Sequence, residues 1–312
     1  MRKTNGVFAT PWWKRRVNLI VFAVVTQLSP LAWGQTAAPN GTAAVPAAAR
    51  VPAAAQAKPE YEVYAIRYAT WPDFTEELVA GAPPGRKRDI AMMFWLVRSA
   101  GRNILVDSGF YHNQLFRQYP VIDYVKPTDA LKRLGIKPDD ITDLVITHMH
   151  ADHADGVELF PKARIWIQKD ELEYYAGKAW QSEKTHGGIE PDDVLVLVKL
   201  NVQGRVRLIE GDAREIIPGV TCYTGGRHTY ASQFLAVNTS AGIVVLASDD
   251  VPLYENLDKH VPSAATSDPV SNLRVQDRMK QLAASPRLII PGHDPAVMTR
   301  FPQTMPGVAR IQ

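Results

Sequence analysis

Six consecutive residues, His148-Met149-His150-Ala151-Asp152-His153, set three imidazoles and a carboxylate directly after the apolar run Leu144-Val145-Ile146-Thr147. Side chains two apart in extended backbone point to the same side, so His148 and His150 can grip one ion. Asp152 and His153 are then left to face another. Neutral imidazole combined with carboxylate suits zinc and similar borderline divalent cations. The chain holds eight histidines in 312 residues, and three of them within six positions do not read as stray surface groups.

Three more residues sit where an apolar strand-like run ends in a small or polar loop, the place where a scaffold presents ligands. His228 follows Gly225-Gly226-Arg227, Asp249 ends the run Val244-Val245-Leu246-Ala247-Ser248, and His293 follows Ile289-Ile290-Pro291-Gly292. In each case the strand fixes the backbone and its last residues project the ligand into a cleft.

The elements that must position these groups alternate between two periods. Strands are expected at 61–68, 91–99, 103–107, 144–147 and 163–168, with Ala100-Gly101-Arg102 as a tight turn. A short helix capped by Thr128 ends at Gly135, and helices follow at 169–176 and 192–200. A second group of strands spans 206–210, 214–217, 220–224, 233–239 and 242–248, with 288–290 closing the order. Between the last two, 268–284 repeats apolar residues at helical spacing, with Asp268 as cap and Pro269 at the first helical position. Two groups of strands, each followed by helices, imply an α/β fold of two packed sheets covered by helices on the outside. The apolar stripe of 268–284 fits either covering a sheet or mediating a dimer.

With these residues in view, the chain resembles the metallo-beta-lactamase superfamily of dinuclear metallohydrolases over roughly residues 60 to 300, through His148-x-His150-x-Asp152-His153, then His228, Asp249 and His293 in that order. The resemblance implies a four-layer αβ/βα sandwich with the site at one edge of the sheets. It implies a first metal on His148, His150 and His228, a second on Asp152, His153 and His293, and Asp249 bridging them. Two Zn2+ are the expected cofactors, although iron or a mixed pair also fits the donors. Two divalent ions against Asp152, Asp249 and a bridging hydroxide leave the centre about one unit positive toward an approaching carbonyl oxygen. Such a centre generates hydroxide near pH 7 without a serine or cysteine nucleophile, and Asp152 can hold that hydroxide and pass its proton to the leaving group. Asp107 and Asp294 are candidates to orient ligating imidazoles.

Within the superfamily, Ala247-Ser248-Asp249 followed by Tyr254-Glu255-Asn256-Leu257 looks most like the N-acyl homoserine lactonase branch. That branch commonly carries a tyrosine three residues after the bridging acid, where this chain has Pro252, so Tyr254 is the candidate catalytic tyrosine. A small residue is usual where Arg227 stands. The reading is a zinc-dependent hydrolase opening lactones or related carboxylic esters, with a small molecule as its partner. The alternatives are a beta-lactam hydrolase, a thioesterase of the glyoxalase II type, an iron redox protein on the same fold, and a metal-bound binding protein without turnover. Phe110, Tyr111, Trp180 and Tyr254 lie in loops near the sheet edges, where aromatics can take an acyl chain, and for any single one ordinary packing under a loop is the better reading. His112, His186 and His260 match no part of the motif.

The N-terminus differs in kind. Arg2, Lys3, Lys14, Arg15 and Arg16 precede an apolar run from Val17 to Val25, and Ala32-Trp33-Gly34 offers a small-x-small cleavage site, the layout of a signal peptide at 1–34. The apolar run is well short of the roughly 20 residues that span a bilayer. Residues 35–58 are Ala- and Pro-rich, nearly uncharged and without period, the composition of a tether, which leaves 59–312 as the hydrolase domain. Removing 1–34 takes five positive charges and no acid, moving the formal net charge from +3 to −2. The basic balance therefore does not point to nucleic acid, and no membrane attachment is expected after cleavage. The expected location is periplasmic or secreted. One cysteine, Cys222, forbids an internal disulfide and reads as a small buried apolar residue.

Overall fold

The computed structural model describes residues 58–75, 78–181 and 187–312. The expected signal segment, nearly all of the expected tether and His186 lie outside the described residues. Strands β1 (Glu62–Thr75), β2 (Lys87–Ser99) and β3 (Arg102–Val106) pair antiparallel in sequence order. β4 (Asp143–Val145), β5 (Arg164–Gln168) and β6 (Val206–Ile209) then add on in parallel. A C-terminal hairpin of β12 (Gln303–Met305) and β13 (Val308–Arg310) returns to the free side of β1, completing an eight-stranded sheet. The other sheet has five strands in the order β11 (Ile289–Pro291), β10 (Gly242–Ser248), β9 (Gln233–Thr239), β8 (Val220–Thr224) and β7 (Arg214–Ile217).

Parallel neighbours cannot be joined by a tight turn, so each such pair needs a crossover. Helix α1 (Pro127–Lys132) lies in the β3–β4 crossover, α2 (Ala151–Ala154) between β4 and β5, and α3 (Lys169–Ala176) with α4 (Pro191–Val202) between β5 and β6. In the smaller sheet, α5 (Tyr254–Lys259) and α6 (Pro269–Leu282) connect β10 to its parallel neighbour β11, and α7 (Val297–Arg300) follows.

Alternation along the strands shows the layering. Val63, Ala65, Trp95 and Val97 from the large sheet share one buried cluster with Val220, Leu235, Val244 and Leu246 from the small one, so these faces pack on each other. The intervening residues Tyr64, Ile66, Phe94 and Leu96 turn the other way, onto Leu131, Leu172, Val194 and Leu197 of α1, α3 and α4. On the far side of the small sheet, Phe234, Val245, Ala247 and Ile289 meet Val275 and Met279 of α6. The result is the αβ/βα sandwich, four layers deep. Each fully buried Val, Leu, Ile or Phe contributes about 1.5–3 kcal/mol, and the middle layer is where most of the fully buried β-strand side chains meet. Cys222 belongs to that middle layer, and burial pushes its thiol up.

Several boundaries differ from the sequence expectation. β1 runs on to Thr75 past buried Ala69 and Thr70 and half-buried Trp71 and Phe74, and β2 starts at Lys87; the two extensions pair with each other, with bulges between Arg67 and Ala69 and between Trp71 and Phe74. Thr128 does not cap α1: Pro127 opens the helix and Lys126 precedes it without a side-chain cap. Asp268 does cap α6, accepting from Ser271 N at 3.0 Å. Of the apolar stripe of α6, Val275, Met279 and Leu282 cover the small sheet, while Val270 is 58% exposed.

Candidate metal centre

All seven candidate side chains come together at one rim, where β4, β10 and β11 end and the β8–β9 loop returns. Two ties fix the rims of the sheets directly beneath. Thr147 Oγ1 lies 2.9 Å from Ser248 Oγ, and Gln233 N donates to the Thr147 carbonyl at 2.9 Å. Past β4, the extended backbone carries His148 to His150, and His150 becomes the cap residue of α2, whose single turn presents Asp152 and His153. The motif thus changes conformation midway, which is why its two halves face different neighbours.

Donor atoms of His148, His150, His228 and Asp249 lie within 4.8 Å of one another, and so do those of Asp152, His153 and His293. His150 Nδ1 stands 3.0 Å from both His148 Nε2 and His228 Nε2. Ligands around a tetrahedral zinc with bonds of ~2.0–2.1 Å are themselves ~3.3 Å apart, so this spacing fits one small cation. Asp249 lies between the groups: Oδ2 is 3.3 Å from His228 Nε2, while Oδ1 is 3.2 Å from His293 Nε2 and 3.5 Å from His153 Nε2. His153 Nε2 and Asp249 Oδ1 are buried without a hydrogen-bond partner among the described residues. Two buried atoms that can each offer a lone pair, left unserved and 3.5 Å apart, are what a bound cation satisfies, so the donor set fits a metal pair.

Glycine makes one of these approaches feasible. A Cβ on Gly292 would sit 2.6 Å from Asp249 Oδ1 and 2.8 Å from the Ser248 carbonyl carbon, so β11 reaches Asp249 only because Gly292 has no side chain.

The second ring nitrogens are held unevenly. His153 Nδ1 meets Asp107 Oδ2 at 2.8 Å, and Asp107 also accepts from Thr147 N and Thr147 Oγ1, so it does orient an imidazole. His293 Nδ1 meets the Ala91 carbonyl at 3.0 Å, and His148 Nδ1 meets Thr147 Oγ1 at 3.0 Å. Asp294 instead accepts from the backbone N–H groups of Tyr254 and Ala296 and touches no ligating imidazole.

Burial drives the His148, His150 and His228 imidazoles down, His228 to about 3, which keeps them neutral and ready to coordinate. For His153 and His293, burial also works downward, but carboxylates outweigh it: Asp152, Asp249 and Asp107 for the first, Asp249 and Asp152 for the second. Asp152 is held at about 2 because His153 and His293 overcome the opposing effect of burial.

Tyr254 does not join this arrangement. As the first residue of α5, its backbone N–H is taken by Asp294, and its ring lies against the Arg300 guanidinium at 3.6 Å. The ring lines a separate hollow with Leu257, Lys280, Arg287 and Ile289, and its hydroxyl has no partner among the described residues. The residue at the usual tyrosine position, Pro252, serves through its backbone, its carbonyl accepting from His293 N at 2.9 Å. Tyr119, packed on Trp71 and Phe110, has its hydroxyl driven up by burial and then by the Asp152 carboxylate, with Asp249 adding to it.

Other groups escaped the sequence reading. Buried Glu171 of α3 accepts from Met149 N at 3.0 Å, Thr229 Oγ1 at 2.6 Å and Ala231 N at 2.6 Å, stitching the His148–His150 loop to the His228 loop. Burial pushes its carboxyl up to about 7. Buried Asp250 similarly ties Gly226 N and Ser232 Oγ. Arg227 adopts φ +63° and turns its guanidinium over the Tyr230 ring.

A cleft of about 490 Å³ opens beside His150 and His228, walled by Tyr174, Tyr175, Thr229 and Tyr230. Tyr174 and Tyr230 stack at 3.8 Å, giving it one flat aromatic side. Phe110 is fully buried and Trp180 turns its Nε1 to the Tyr175 carbonyl, in keeping with packing under loops as the reading for these aromatics. His260 ends α5 and pairs with Asp277 at the surface.

Two sheets face to face, helices outside and a histidine–aspartate cluster at one rim define a metallohydrolase scaffold. The chain belongs to the metallo-beta-lactamase superfamily, whose family model matches residues 93–293. Among curated proteins it is similar to the N-acyl homoserine lactonase of Bacillus cereus, 29% identical over 227 residues that cover 68% of this chain and 84% of that protein. The N-acyl homoserine lactonase AiiB of Agrobacterium fabrum is 30% identical over 96 residues, 27% of this chain and 35% of that one. Among solved structures, an N-acyl homoserine lactone hydrolase with N-hexanoyl-L-homoserine at its catalytic metal center superposes with TM-score 0.60 at 25% identity, covering 75% of this chain and 93% of that one. The fold alone is shared with a quorum-quenching N-acyl homoserine lactone lactonase at TM-score 0.65 and 24% identity, covering 81% of this chain and all of the other.

Proposed function

We propose that this protein is an exported dinuclear zinc hydrolase that opens N-acyl homoserine lactones or closely related carboxylic esters. The observation that carries the reading is the convergence of His148, His150 and His228 on one side and Asp152, His153 and His293 on the other, with Asp249 between them. The lactonases named above support the substrate class.

Two zinc ions bound there would lower the pKa of water to near 7 and polarise the scissile carbonyl. The chain's own residues do the rest. Asp152, ionised at neutral pH by its imidazole neighbours, orients the attacking water and relays a proton to the departing ring oxygen. The cleft beside His150 has the volume of a small-molecule site, and its tyrosine wall suits the acyl chain.

The signal layout at 1–34 supports export, and a mature chain starting at Gln35 in the periplasmic or extracellular fraction would confirm it. Purified zinc-loaded protein is expected to open acyl homoserine lactones, read as proton release and by chromatography of the ring-opened acid. Cleavage of a beta-lactam or a thioester with no lactone opened at any acyl length would overturn the substrate assignment.

A further inference from the structure

A second buried cluster stands apart from the seven residues. Donor atoms of His112, Asp155 and Asp193 lie within 4.8 Å of one another. Asp155 follows α2, His112 lies on the loop after β3, and Asp193 is in the first turn of α4. Asp155 accepts through Oδ2 from Tyr111 N at 2.6 Å and His112 N at 3.1 Å, and its Oδ1 meets His112 Nδ1 at 2.5 Å. Asp193 is 4% exposed, yet its Oδ2 is buried with no hydrogen-bond partner among the described residues. No Lys or Arg pairs with either carboxylate among the described residues, and Glu190 and Asp192 add more negative charge beside Asp193.

One half-exposed imidazole already committed to Asp155 leaves the Asp193 oxygen unserved. We propose that His112, Asp155 and Asp193 form a third, structural cation site. One imidazole with two carboxylates favours a zinc- or manganese-type divalent ion over calcium, which takes oxygen alone. Water completes the coordination from the exposed side of His112.

The site explains a placement that the seven-residue centre leaves unexplained. Asp155 comes two residues after His153, so a cation there clamps the end of α2, which carries Asp152 and His153, to α4 and to the aromatic loop at 110–119. It is a positioning device, and it does not depend on the substrate proposed above.

The test is metal stoichiometry on the full chain, dialysed separately against small excesses of Zn2+ and Mn2+ and read by plasma mass spectrometry. Three ions per chain are expected in the native protein, two in Asp193→Asn, and retention of the third in His150→Ala, which separates this site from the catalytic centre. If Asp193→Asn fails to fold, His112→Gln replaces it, with at least ~10-fold weaker binding of one ion expected. Anomalous diffraction from the loaded crystal should place that ion among the three side chains. Two ions per chain in the native protein, or an unchanged count in the folded variants, would overturn the proposal and leave Asp155 and Asp193 sharing a proton.

Discussion

The two halves of the metal centre are built differently. His153 and His293 are nearly sealed from solvent, and each has its Nδ1 locked by a partner, Asp107 or the Ala91 carbonyl. His150 and His228 border the cleft, the His228 side chain itself only 4% exposed, and His228 Nδ1 has no partner among the described residues. Charge follows the same division. The cleft-side imidazoles are driven neutral by burial, whereas the sealed pair are drawn toward the protonated form by Asp152, Asp249 and Asp107. Under the function proposed above, substrate would enter from the cleft side, and an ion held by His153 and His293 would displace protons as it binds.

The largest effect should come from removing what joins the halves. Asp249→Ala is expected to lower lactone turnover at least ~10²-fold, a loss no smaller than that of a single oxyanion donor, and to lower the metal content by at least one ion per chain. Retained turnover with both ions bound would mean that the halves act independently.

Next in size is the prop beneath the sealed half. Asp107→Asn keeps the shape but weakens the hold on His153, so binding of the sealed-side ion should fall ~10–100-fold while the cleft-side ion is unaffected. Competition with a chromogenic chelator resolves the two affinities. Equal weakening of both would show that the division is not real.

A smaller effect, with a definite sign, is acid sensitivity. Metal binding requires neutral imidazole. His153 and His293 are raised above the ordinary value of 6.5, so protons compete for them as pH falls through neutrality, whereas the lowered His148, His150 and His228 stay neutral well below it. Dialysis from pH 8 to about pH 5.5 should therefore empty the sealed side first, and calorimetry at pH 7 should show more protons released per ion there. Loss of the cleft-side ion first would reverse the comparison.

Much of this was legible in the chain because the signal is local. His148 to His153 lie within six consecutive residues, and Asp249 and His293 stand just past apolar strands that fix their direction. What was missed depends on tertiary direction. Glu171 and Asp193 sit in the first turns of helices, where acids ordinarily serve the helix dipole in solvent, and only the packing of α3 and α4 against the sheet buries them. Tyr254 was misplaced for the converse reason: α5 begins on it, and that backbone turn, set by Asp294, sends the ring toward Arg300. Side-chain direction at a helix start is not written in the spacing from Asp249.

The central claim is that these seven side chains enclose two cations. Crystals of the zinc-loaded chain, measured at the zinc absorption edge, should give two anomalous peaks at this rim, roughly 3.5–4 Å apart, one among His148, His150 and His228 and the other among Asp152, His153 and His293, with Asp249 between them. A single peak there, or none, in protein that still turns over substrate would contradict it.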